Sequence, residues 1–132
     1  MLNKISMRNL AAGSMILAVT FLSACSAKKV TIGAKDEVSY EGSATKQEAE
    51  ALGAALKTNG YFKDLGYGVV LSKGSAGTTV SFVVQDGIWD DATQVQGYTM
   101  LGRLVAPSIG GLPLKVLIVN THDEPKKEIP LS

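Results

Sequence analysis

VVLSKGSAGTTVSFVVQ, residues 69–85, is the stretch on which the reading of this chain turns. Two runs rich in Val, Thr and Phe are separated by Lys73-Gly74-Ser75-Ala76-Gly77, and β-rich runs joined by a few residues with glycine make a hairpin. In the second run Val80, Phe82 and Val84 fall on one face and Thr79, Ser81 and Val83 on the other, the period of a strand with one buried face. That face needs a cover, and the flanking segments are where to look for it.

Upstream, Thr45 and Glu48 have the Ser/Thr-x-x-Glu spacing of a capping box, in which the hydroxyl takes the N3 amide and the carboxylate returns to the cap amide. Ala49, Leu52, Gly53 and Leu56 then mark one helical face, built of small residues apart from its leucines, and Asn59-Gly60 supplies a left-handed stop. Downstream, IWDDATQVQGYTMLGRLVAP, residues 88–107, reads as a second helix capped by Asp90 or Asp91, with Val95, Tyr98, Leu101, Gly102 and Val105 inward and Pro107 beyond its end.

Outside each helix lies a further strand pattern. VSYEG, residues 38–42, alternates, whereas LKVLIVN, residues 114–120, is apolar at nearly every position and predicts a central or doubly covered strand. The order β-α-β-β-α-β is the split βαβ arrangement of ferredoxin-like folds. The expectation is an α+β domain with a four-stranded, mostly antiparallel sheet and two helices on one face. The short, polar VSYE stretch sits awkwardly in the central position that this topology gives the first strand.

The two ends of the chain read as appendages. Residues 26–37 are polar and of mixed charge, a tether in which Val30–Ile32 offers an alternative edge strand; residues after Asn120 read as a solvated tail. The resulting division is 1–24, 25–37 and a single domain over 38–132, with no internal repeat.

The first segment carries the clearest signal. MLNKISMRN holds Lys4 and Arg8 without an acid, about fifteen mostly apolar residues follow, and small residues precede Cys25, the order of a secretory signal peptide. Such a run falls short of the roughly 20 residues needed to span a bilayer. Leu22, Ser23, Ala24 and Cys25 resemble a bacterial lipobox. The resemblance implies cleavage between Ala24 and Cys25, a diacylglyceryl thioether on the Cys25 sulfur, and a lipoprotein held at the cell membrane. With Ser26 rather than Asp next, it implies the outer membrane, facing the periplasm, in an organism with two membranes. Two or more acyl chains anchor stably where one does not. Cys25 is the only cysteine, so the exported domain must cohere through its core without a disulfide.

Cleavage would remove two of the 13 Lys and Arg and none of the 12 Asp and Glu, leaving 108 residues with a formal side-chain charge of −1 and one arginine, Arg103. No basic excess remains for nucleic acid. Gly60-Tyr61-Phe62 after the first helix and Trp89-Asp90-Asp91 before the second resemble segments of small bacterial domains without an assigned activity.

These segments are the candidate site: Tyr61, Phe62, Trp89, Asp90 and Asp91. Adjacent carboxylates can hold a cation or serve acid–base chemistry, and they can equally cap a helix while Trp89 covers a core edge. The second account is the simpler one. His122, Asp123 and Glu124 are three consecutive residues whose side chains diverge, a poor chelate with no second histidine. The glycines of KGSAG lack a following Lys-Ser/Thr, and no G-x-S-x-G occurs, so neither a phosphate loop nor a nucleophile elbow is expected. The sequence therefore predicts a non-enzymatic accessory or interaction domain with a membrane and an envelope protein as partners. It predicts no cofactor beyond the covalent lipid, and the alternative is a small-ligand binder or enzyme of the envelope.

Overall fold

A computed structural model describes residues 28–132; the lipobox residues Leu22, Ser23, Ala24 and Cys25 lie outside the described residues. The elements are β1 (Lys28–Ile32), β2 (Asp36–Gly42), α1 (Lys46–Thr58), β3 (Gly68–Gly74), β4 (Gly77–Val83), α2 (Ala92–Val105), β5 (Leu114–Val119) and β6 (Pro125–Leu131). Single turns of 3-10 helix at Ile88–Asp90 and Ala106–Ile109 bracket α2.

The local signals act as their chemistry requires. Thr45 Oγ1 accepts from Glu48 N at 3.1 Å and Glu48 Oε1 accepts from Thr45 N at 2.9 Å, completing the capping box. Ala49, Leu52, Gly53 and Leu56 are the buried face of α1. Gly60 closes the helix at φ 82. β3 and β4 form the hairpin, with Val69 opposite Phe82 and Leu71 opposite Val80.

The ferredoxin-like expectation is overturned. All six strands form one mixed sheet in sequence order, β1-β2-β3-β4-β5-β6. β1–β2, β3–β4 and β5–β6 are antiparallel hairpins, whereas β2–β3 and β4–β5 are parallel. In a split βαβ unit another strand lies between the two strands that the helix joins. Here each helix returns the chain to the adjacent strand, with Val38 opposite Val69 and Phe82 opposite Ile118. The expected tether is strand from Lys28, and the expected tail is strand from Pro125. Both escape a search for alternation because they are edges. Lys28 and Lys29 on one side, and Pro125, Lys126, Lys127 and Pro130 on the other, blunt exposed ladders against further pairing.

No repeat shows in the sequence, yet the architecture repeats: hairpin, helix, hairpin, helix, hairpin. Both helices lie on the face formed by Val30, Val38, Val69, Phe82 and Ile118, which with their neighbours make one core. The opposite face, with Ser39, Val70, Ser81 and Leu117 in one row, is half-exposed. Each helix approaches its strands through a glycine that follows a leucine. A Cβ on Gly53 would press on the end of the Ile32 side chain, and one on Gly102 would stand 2.5 Å from Val116 Cγ2, so at either contact the neighbour must shift to admit a methyl group.

The sheet has two distinct poles. Lys28, the β3–β4 turn at Gly74–Gly77 and the pairing of Leu114 with Leu131 stand at one; the turn at Gly33–Lys35 and the loops leading into β3, out of β4 and out of β5 stand at the other. With about 3.3 Å per strand residue, the poles are roughly 20 Å apart.

Candidate functional site

The segment between α1 and β3 builds the second pole. After Asn59, Tyr61 N and Phe62 N both donate to Leu56 O, at 2.9 and 3.2 Å, which turns the chain sharply and sends the two rings to different places. Phe62 enters the core at 3% exposure, and Tyr61 stays half-buried beside it.

Two aspartates then fasten this loop to the β1–β2 turn. Asp36, itself buried, accepts from Asp64 N at 2.7 Å, Tyr67 N at 2.8 Å and Gly66 N at 3.0 Å. Asp64, in the left-handed region at φ 64, returns the contact by accepting from Ala34 N at 2.9 Å and Lys35 N at 2.6 Å. Burial pushes the Asp36 carboxyl up, but the backbone N–H groups of Tyr67, Asp64 and Gly66 outweigh it and hold the group below the ordinary carboxylate value. The carboxylate is thus a structural clamp. It lies in the stretch read from sequence as tether, where no local pattern announces partners 28 to 31 residues away.

Held in this way, the loop forms one wall of a groove of about 560 Å³. Tyr61, Tyr67 and Leu65 come from the loop, Val84 and Ile88 from the segment after β4, and Gln94, Gly97, Tyr98 and Leu101 from a single stripe of α2. The tyrosines pack on one another, with Tyr61 5.2 Å from Tyr67 and 5.9 Å from Tyr98 between ring centroids. Phe82 backs them from the core, 5.3 Å from Tyr61 and 5.1 Å from Tyr98. Burial, and then the Tyr98 hydroxyl beside it, push the Tyr61 phenol far above its usual value; burial likewise raises Tyr98. Both remain neutral hydroxyls at any physiological pH. Lys63 is the single Lys, Arg, Asp, Glu or His among the described residues of the lining, and none of these carries a thiol.

Of the five residues singled out from sequence, only Tyr61 reaches this groove. Phe62 is core. Trp89 is half-buried in the turn before α2, with the Lys126 ammonium 5.6 Å from its ring centroid, a cation–π contact that covers the core edge. Asp91 is the N-cap of α2, accepting from Thr93 N at 3.0 Å and Gln94 N at 3.3 Å, while Asp90 is exposed. His122 and Glu124 donate their backbone N–H groups to Asn120 Oδ1, each at 2.9 Å, which closes the β5–β6 turn. Among the described residues no group of three or more His, Cys, Asp or Glu is placed to hold a metal ion.

The sequence reading missed Tyr67, Leu65 and Gly97. The inward stripe of α2 included Tyr98 and Leu101, but no periodicity reveals that these face a groove rather than a filled core. The fold and site together define an α+β domain with a six-stranded mixed sheet and a tyrosine-lined groove at one pole. Compared with known proteins, the chain matches no family model, no curated protein and no solved structure.

Proposed function

We propose that this protein is a lipid-anchored lipoprotein of the cell envelope, facing the periplasm, whose domain serves as a non-enzymatic interaction or accessory module. The observation that carries this reading is the position of the groove relative to Lys28, the first described residue. β1 begins three residues after Cys25, at the pole opposite the groove. Acyl chains on Cys25 hold that pole at the bilayer surface and turn the groove away from it, toward whatever lies in the aqueous compartment. Among the described residues phenols, amides, the Thr121 hydroxyl and one ammonium line the groove without a carboxylate, imidazole or thiol, which favours recognition over acid–base or nucleophilic chemistry. Its volume also lies in the range of small-ligand pockets, the observation that favours the second reading, a small-ligand binder.

The anchor is tested with Cys25→Ser. The variant is expected to lose fatty-acid label and to leave the membrane fraction. A Ser variant that still takes up label, or that fractionates like wild type, overturns the anchored reading.

A further inference from the structure

The two helices hold three interior glycines between them, Gly53 in α1 and Gly97 and Gly102 in α2. Gly53 in α1 and Gly102 in α2 are explained by close packing, since a methyl group at either meets a neighbouring side chain. Gly97 is not. It lies in the interior of α2, has no left-handed backbone angle, and nothing among the described residues stands within 4 Å of where its Cβ would be. A helix-interior glycine costs about 1 kcal/mol relative to alanine. No packing contact among the described residues calls for it. What the glycine does is keep the α2 wall of the groove open, between Gln94 and Leu101.

A second observation points the same way. Leu65 is 61% exposed and Tyr67 41% exposed, and both stand on the opposite wall of that groove. The Asp36 clamp holds the chain at Asp64, Gly66 and Tyr67, so these side chains are presented in place rather than left on a free loop. Apolar surface fixed toward water beside a wall kept clear of side chains is the form of a preorganised recognition site.

We propose that the groove binds a segment of a partner protein through an aromatic or long aliphatic side chain, the segment carrying no positive charge. This deepens the reading of the chain as an interaction module and rests on it. The tyrosine faces and Leu65 suit an apolar anchor. The neutral phenols of Tyr61 and Tyr98 offer hydroxyls to a carbonyl or carboxylate. Lys63 is the only charge among the described lining residues, so an acidic group beside the anchor is favoured and a lysine or arginine there is opposed. The open rim leaves room for main chain on both sides of the anchor.

The test uses the full-length protein purified from whichever fraction holds it, in lipid nanodiscs with empty nanodiscs as control where that is the membrane, and a displayed library of random nonapeptides as the probe. Enrichment of Phe, Tyr, Trp or Leu with depletion of Lys and Arg is expected. Binding of the best peptide should fall about tenfold or more in Gly97→Leu, which fills the groove, while the melting temperature does not drop. Leu65→Glu, an exposed rim change that leaves the core alone, should weaken the same peptide comparably. Absence of enrichment, or peptide binding unchanged in both variants, overturns the proposal. So does saturation by N-acetylphenylalanine amide with the affinity of the best peptide, because the groove would then be a small-molecule pocket. None of these outcomes depends on Cys25, so failure of the groove and failure of the anchor are read separately.

Discussion

The two hairpin-and-helix units of this domain share an architecture and differ in how their helices are used. α1 buries Ala49, Leu52, Gly53 and Leu56, and its exit loop is clamped by Asp36. α2 buries only Gly102 and Val105, leaves Met100 and Leu104 60% and 57% exposed, and gives its Gln94-Gly97-Tyr98-Leu101 stripe to the groove. The first helix is frame and leaves the groove to its exit loop, whereas the second is frame at one end and site at the other. Repetition of a backbone plan thus leaves room for unequal roles, because each helix needs only part of its surface to hold the sheet.

The sharpest way to break this comparison is to truncate a leucine on each helix. Leu52, fully buried, should cost about 2–5 kcal/mol when changed to Ala, and Leu104→Ala should cost close to nothing, both read by denaturant unfolding. Equal losses would mean that α2 is packed as α1 is.

Next in size is the clamp. Asp36→Ala removes a carboxylate that accepts three backbone N–H groups and should cost about 1.5–3 kcal/mol. The folded carboxyl ionises below its unfolded value, near 3.9. Its contribution is therefore complete above about pH 4 and is lost as pH falls through the lower folded value. Wild type should lose stability over that window and Asp36→Ala should lose less, as followed by thermal melts from pH 6 downward.

A smaller effect distinguishes the two packed glycines. Gly102→Ala presses a methyl onto Val116, a β-branched side chain in the core, and should destabilise by about 1–2 kcal/mol despite better helix propensity. Gly53→Ala meets the far end of Ile32, on an edge strand and half-exposed, which can rotate aside. Its melting temperature should stay near that of wild type. Reversal of that order would show β1, not β5, to be the rigid side of the sheet.

The smallest expected change concerns the acids before α2. Asp91→Ala should cost about 0.5–2 kcal/mol for the lost cap, Asp91→Asn only a few tenths, and Asp90→Ala nothing measurable. Addition of calcium or magnesium should leave all four melting curves where they are. A rise confined to wild type would make this pair a cation site.

The Thr45–Glu48 box, the Leu52–Leu56 face, the Asn59-Gly60 stop, the Lys73–Gly77 hairpin and the cap before α2 were legible from sequence because each is decided within a few residues. Capping, helical period and turn chemistry are short-range, so the chain states them locally. Strand order is not. Whether a helix returns to the adjacent strand or leaves a gap depends on pairings across the whole sheet, and β1 and β6 join it with lysine and proline edges that read as solvated ends. Only the tertiary structure assembled the groove, from a loop, a strand exit and one helical stripe. It did so through Asp36, whose three donors lie 28 to 31 residues along the chain and are brought to it by folding alone.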